Sequence, residues 1–217
     1  MPYFKKNNIL LIHIPKTGGT SLEIYFSRKY ALKLEDTLFS RTPSQLPEFK
    51  NRYLQHLFLT EYKEHNELLG IDFCDSLQIL AITRNPYDRL ISALLYGKKI
   101  TLTSDPAEVY STIQHIFSVY TTSKKKIHYG HYIPQWEFIA DNEGAIDPRV
   151  TVMDTETLMA DMHALGFTDF SIHMNGDIKR RTNYRQLLNS DSLQLINTFY
   201  ERDFTLFNYP RLEHAHT

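Results

Sequence analysis

The stretch "HIPKTGGTSL", His13 to Leu22, gathers the residue types that bind a phosphate group. Gly18 and Gly19 let a backbone come close to an anion, Thr17, Thr20 and Ser21 add hydroxyl donors, and Lys16 adds a mobile full charge. The lysine comes before the glycines, whereas the common nucleoside triphosphate cradle, Gly-x-x-x-x-Gly-Lys-Ser/Thr, places it after them. A second group of anion-binding types lies in "TRNPYDRLIS". Arg84 offers a planar fork suited to bidentate grip on a phosphate, and Ser92 follows about two helical turns later. Two such groups suit one ligand carrying phosphates at two places.

Both groups need a strand before them and a helix after them. Short apolar runs of strand type occupy Ile9–Ile14, Leu77–Thr83 and Val150–Met153, and each is followed by a polar or proline-bearing turn and a helical pattern. Leu22, Tyr25, Phe26 and Tyr30 recur at helical spacing, with Thr20 and Glu23 spaced as a capping box. Asn85 is placed to cap a helix whose first position is Pro86 and whose far end is Gly97. Thr155 is expected to open the helix that Gly166 closes, and another helix is expected from about Ser192, with Leu193, Ile196, Phe199 and Tyr200 on one stripe. Residues 33–51 read as loop with short helices, and 101–143 as partly helical. Strand-helix alternation of this kind predicts an α/β fold, a central mostly parallel sheet flanked by helices. With no repeat, low-complexity tract or flexible linker, residues 1–217 read as a single domain.

Composition narrows the partners. Lys and Arg number 24 against 25 Asp and Glu, so no global field draws the chain to nucleic acid or an anionic membrane, and anion binding must be local. Cys74 is the only cysteine, which rules out an internal disulfide and fits a reducing compartment. The apolar run near the N-terminus is too short for a secretory or spanning segment, so the expectation is a soluble cytoplasmic protein without a membrane anchor.

With both motifs in order, each between an expected strand and an expected helix, the chain resembles the sulfotransferase superfamily, in particular the branch of carbohydrate O-sulfotransferases and their small bacterial relatives. "PKTGGTS" resembles that family's loop for the 5′-phosphosulfate of 3′-phosphoadenosine 5′-phosphosulfate (PAPS), and "RNPYDRLIS" resembles the segment binding its 3′-phosphate. Weaker echoes are "QHLFLTEY", "PQWEFI", "VMDTETLMADMHALG" and "YERDFTLFNY". The resemblance implies a P-loop-like sulfotransferase fold and a single sulfotransferase-like domain. It also implies a metal-free transfer from PAPS to a hydroxyl of a carbohydrate or glycoconjugate, with PAP as product. Residue by residue, it implies that Lys16 meets the transferred group and the leaving oxygen, Thr17, Gly18, Gly19, Thr20 and Ser21 hold the 5′-phosphate, and Arg84 and Ser92 hold the 3′-phosphate.

The acceptor hydroxyl needs a base. His56 in "QHLFLTEY" matches the place where carbohydrate-type members carry a functional His, and an imidazole titrating near neutrality suits the task. Against this stands a purely structural role for His56 beside a helix starting near Thr60. Glu23 is accounted for by capping and His13 by its strand. Arg89, like Arg84, has a bland reading as a solvated surface charge. His128 and His131, three apart, lack the partners of a zinc site. Lys124–Lys126 read as solvated loop, Trp136 as core, and Lys179, Arg180 and Arg181 follow a loop that can close over a nucleotide in relatives. Two other classes stay open: a P-loop kinase or hydrolase, for which Asp154 is the one tempting carboxylate, and a non-catalytic nucleotide-binding protein of the same fold.

Overall fold

The computed structural model describes residues 3–33, 44, 46–50, 54–123, 130–171 and 184–213. Lys124–Lys126, His128 and Lys179–Arg181, together with much of the 33–51 loop, lie outside them. The chain divides into two compact units, Met1–Thr83 with Gln135–Met174, and Arg84–Pro134 with Asn175–Thr217.

The first unit is built on one sheet in the order β1-β2-β3-β4. Its strands are β1 (Tyr3–Phe4), β2 (Ile9–Ile12), β3 (Gln78–Thr83) and β4 (Val150–Asp154). The three expected strands are all present and mutually parallel, with Leu10 opposite Ile79 and Ala81 opposite Val152. The short β1 is the addition, antiparallel to β2 through Tyr3 opposite Leu10. Two residues are too few to carry a readable alternation. The first expected strand stops two residues early, because Ile14 N–H turns back onto Ile12 O at 3.1 Å. His13 and Ile14 therefore belong to the loop that leaves the sheet.

Continuous apolar runs in β2 and β3 fit a sheet covered on both faces. Ile9, Leu11, Leu80, Ile82 and Met153 share one cluster with Leu22 and Phe26 of α1 (Gly19–Lys29). Leu10, Ile12, Ile79 and Ala81, which alternate with them, are equally buried. Each fully buried Leu, Ile or Phe contributes about 1.5–3 kcal/mol. The short helices α2 (Leu59–Glu64) and α3 (Asn66–Leu69) follow the Leu54–His56 turn.

The second unit is helical. It contains α4 (Pro86–Tyr96) and α5 (Pro106–Ser123), whose buried residues cluster with later elements of the same unit. Asn85 caps α4 as expected, its side-chain oxygen accepting from Tyr87 N–H at 3.1 Å with Pro86 in the first turn. The helix ends at Gly97, although Lys98 rather than the glycine takes the left-handed conformation, φ 52°.

Two helix starts differ from expectation. α6 (Leu158–Ala164), which packs on the sheet in the first unit, begins three residues after Thr155. Asp154 N–H and the Thr157 hydroxyl both donate to Asp161, at 3.0 and 2.8 Å, so the turn is organised by an acid inside the helix. Gly166, φ 89°, closes α6 as expected, with Phe167 N–H reaching Met162 O at 2.9 Å. In the second unit α7 (Ser190–Phe199) is capped by Asn189, which accepts from Ser192 N–H at 2.8 Å, and α8 (Glu201–Leu206) follows it. Leu193, Ile196 and Tyr200 line the core, and Phe199 stacks on Phe117 with ring centroids 3.7 Å apart.

Arg89 is not a surface charge. It is 1% exposed, and its guanidinium donates to the carbonyls of Ile133 at 2.8 Å and Gly130 at 3.4 Å. Burial pushes its pKa below the ordinary arginine value, and Tyr200 and Asp203 act in the opposite direction. Its five donors in a fixed fork suit two backbone acceptors, so Arg89 ties α4 to the 130–133 segment.

Candidate functional site

The loop expected to hold an anion starts where β2 ends. Lys16 has φ 69° and Gly18 φ 100°, so the chain passes twice through the left-handed region before α1 begins at Gly19. A Cβ on Gly18 would meet nothing within 4 Å, so glycine is needed there for its backbone angle alone. Gly18 itself is the cap, and among the described residues no side chain caps α1. This is the end of the helix where the peptide dipoles favour an anion, and of the N–H groups that open it that of Ser21 is taken by Gly18 O. The capping box expected of Thr20 and Glu23 does not form. The turn at Gly18 starts the helix early enough to put both residues inside it.

Thr17 also differs from expectation. Its hydroxyl donates to Ile14 O at 2.9 Å and the residue is fully buried, so this group braces the loop instead of facing an anion. Lys16, Thr20 and Ser21 are half-buried around the turn, and Ser21 N–H donates to Gly18 O at 2.9 Å.

Behind the cradle lies a buried pair, each member of which the sequence suited to another task. Glu23 is 0% exposed and its Oε1 is bonded to Nδ1 of His13, itself 4% exposed. Glu23 falls on the same stripe of α1 as Gly19, Phe26 and Ser27, all core-facing. An acid on a core stripe requires a partner, and that was the available signal. The His13 ring lies flat against the start of α1: a Cβ on Gly19 would stand 2.5 Å from its Cδ2 and 2.7 Å from its Nε2.

His56 is placed by the same residue. It sits half-buried in the turn Leu54–His56, its Nδ1 2.9 Å from the main-chain carbonyl of His13 and its ring edge-on to the His13 ring, with centroids 4.8 Å apart. A carbonyl can only accept, so Nδ1 carries the hydrogen. In the neutral ring Nε2 then holds the lone pair, the state a general base requires. The hydrogen bond of its Nδ1 runs to the loop before the cradle and not to the start of α2. Glu61 closes that start by accepting from Phe58 N–H at 2.7 Å.

The carboxyl ends of the three parallel strands are tied by Thr155, just beyond β4. Its hydroxyl lies 2.6 Å from Thr17 O and 2.8 Å from Thr83 O, while its N–H donates to Thr83 O at 2.9 Å. The hydroxyl hydrogen is shared between these two carbonyls, so Thr155 ties the loop after β2 to the end of β3. Thr155 therefore supports the loop and does not open a helix. Asp154, the carboxylate considered for a magnesium site, accepts from Glu156 N–H at 2.6 Å in a local turn. Among the described residues no three His, Cys, Asp or Glu side chains cluster as a metal site, and no helix is long and apolar enough to cross a membrane.

In the second unit, Arg84 precedes the capped start of α4 and Ser92 lies two turns along it, both half-buried. Arg89 is committed to the core, whereas Arg84 is half-buried. In the first unit Lys16–Ser21 lead into α1 and His56 lies against His13, just before that turn; in the second, Arg84 precedes α4 and Ser92 lies on it.

A family model described as Sulfotransferase family matches residues 2–141, more than half of the chain. No curated protein and no solved structure matches it.

Proposed function

Because this chain belongs to the sulfotransferase family, we propose that it transfers a sulfuryl group from PAPS to a hydroxyl, on a carbohydrate or glycoconjugate acceptor. The acceptor proton passes to Nε2 of His56 as the acceptor oxygen forms its bond to sulfur. The bond from sulfur to the bridging oxygen breaks, and its electron pair stays on the 5′-phosphate of PAP. Lys16 and the N–H groups opening α1 meet that growing charge, which is where fixed donors lower a barrier most. Thr17, Gly18, Gly19, Thr20 and Ser21 form the 5′ cradle, with Thr17 contributing main chain, and Arg84 and Ser92 take the 3′-phosphate. The reading takes residues 1–217 as one sulfotransferase-like domain, expects no metal, and, from the single cysteine, places the enzyme in the cytoplasm.

The observation that carries this reading is the orientation of His56. Its Nδ1–H is spent on His13 O at 2.9 Å, three residues before Lys16 in the loop that leads into the cradle. The test is transfer of labelled sulfate from PAPS into a panel of glycans, lipids and small alcohols. His56→Ala should reduce turnover by about 10²–10⁴ with PAP binding retained, and Lys16→Ala should reduce turnover far more than PAP affinity. Wild-type transfer by His56→Ala would move the base elsewhere. PAP binding without turnover on any acceptor would favour a non-catalytic binding protein.

A further inference from the structure

We infer that Glu23 is a positioning residue: acting through His13, it holds both the first turn of the phosphate cradle and the orientation of His56. The inference rests on the proposed role of His56 as base.

Nδ1 of His13 can give one hydrogen or offer one lone pair. The Gln55 side-chain amide lies 3.2 Å from it, but the Glu23 carboxylate is closer and fully buried. Glu23 Oε2 has no hydrogen-bond partner among the described residues, so Oε1 and His13 account for the polar contacts of this acid. A buried carboxylate left with a single partner holds that partner firmly, since releasing it strands a polar group in the core. His13 Nδ1–H thus donates to Glu23, which sets both the tautomer and the plane of the ring.

Two consequences follow from that plane. The Cγ–Cδ2–Nε2 side of the ring closes against Gly19, leaving no room for a Cβ at the first residue of α1. The His13 carbonyl is held where it accepts from His56 Nδ1, and the two rings meet edge to face. One buried acid, ten residues along the chain from its histidine, therefore fixes the donors of the cradle and the lone pair of the base together. Partners that orient a functional imidazole are worth about 10- to 100-fold when removed from metal sites, and a comparable effect is expected here.

The test compares Glu23→Leu, Glu23→Gln, His56→Ala and the double variant Glu23→Leu/His56→Ala, by sulfate transfer at saturating PAPS and by ¹⁵N NMR of the histidine rings. Glu23→Leu, similar in volume but without an acceptor, should lower kcat by about 10- to 100-fold and change the His56 ring from one Nδ1–H tautomer to a mixture. Adding it to His56→Ala should cost clearly less than it costs in the wild type, because the share that runs through His56 is already lost and only the share that runs through the cradle remains. Glu23→Gln keeps an acceptor oxygen and should lose only a few-fold. A Glu23→Leu enzyme that is less stable yet has wild-type kcat per folded molecule and an unchanged His56 tautomer would overturn the inference. So would losses that multiply in the double variant. If Glu23→Leu does not fold, Glu23→Gln decides, and ring ¹⁵N shifts and kcat both equal to wild type would overturn it. Wild-type transfer by His56→Ala overturns the base assignment instead, and the NMR comparison still decides whether Glu23 holds the two histidines.

Discussion

Replacing Gly19 with Ala sets two effects of opposite sign against each other. Gly19 is the first residue of α1, and alanine at a helical position is worth up to about 1 kcal/mol over glycine. Its added Cβ, however, would stand 2.5 Å from His13 Cδ2, 2.7 Å from Nε2 and 2.9 Å from Cγ, where ordinary contact begins at 3.4 Å. The ring would have to retreat by about 0.9 Å (3.4 minus 2.5). Retreat would pull the ring's Nδ1 away from the buried Glu23 that holds it, so either that contact or the helix start must give. Overpacking of a tight site costs about 1–3 kcal/mol, more when the local backbone must move, so Gly19→Ala should be destabilising by a net ~2 kcal/mol. For a chain of this size that is about 4–8 °C in Tm. A comparable displacement of cradle and base should lower sulfate transfer by about 10²-fold. Urea unfolding of four proteins is the assay: wild type, Gly19→Ala, His13→Ala and the double variant. With His13 shortened to Ala, the clash disappears and the Gly19→Ala step should become neutral or slightly stabilising. Gly18→Ala is the control, since its cost of ~1–2 kcal/mol comes from φ 100° and should be the same with or without His13. A Gly19→Ala penalty that persists in the His13→Ala background, or no penalty at all, would refute the packing of His13 against α1.

Three further outcomes are expected. Arg84→Ala should weaken PAP binding by about 10- to 150-fold, the loss of a charged hydrogen bond worth ~1.5–3 kcal/mol, and leave AMP affinity unchanged; calorimetry giving equal losses for both ligands would sink the 3′-phosphate assignment. Thr155→Val removes the hydroxyl held between Thr17 O and Thr83 O, and should cost about 1–2 kcal/mol and weaken PAP binding, with Thr155→Ser partly restoring both. Asp147 accepts from Arg149 at 3.0 and 3.2 Å and from Lys63 at 2.6 Å. The Arg149 hydrogen bonds, opposed by burial and helped by Lys63, hold its carboxyl well below the usual carboxylate range. Because the folded value is depressed, this contribution is fully present above the unfolded carboxylate value of about 3.9 and is lost as the pH falls through the folded one. Asp147→Asn should therefore lower stability by about 1–3 kcal/mol at pH 7, with the gap from wild type narrowing below about pH 4; a gap independent of pH would contradict the assignment.

Where an element carries its own local signal, the chain alone revealed it. The apolar runs of β2 and β3 are continuous because both sheet faces are covered there, and Asn85-Pro86 marks the start of α4 by a cap and a ring that suits the first turn. Local patterns misled where a residue had two available partners. Thr20 and Glu23 have capping-box spacing, yet the left-handed turn at Gly18 starts α1 earlier and turns Glu23 into the core. Thr155 looks like a helix cap, yet a carbonyl of the loop after β2 and one at the end of β3 claim its hydroxyl. Arg89 looks solvated because charge predicts exposure, and its burial becomes tolerable once folding brings up acceptors such as the carbonyls of Gly130 and Ile133.

By itself, then, the order of residues determined the α/β class, the place of the glycine-bearing turn after the first parallel strand and the types of group that turn carries. Those follow from hydrophobic period, glycine, proline and side-chain chemistry, all of which act over a few residues. The partner of each polar group was decided by tertiary structure: Glu23 for His13, the His13 carbonyl for His56, Thr155 for Thr17. Such pairings join residues 10, 43 and 138 positions apart, and the cost of burying a polar group unpaired selects among them only once the chain has packed.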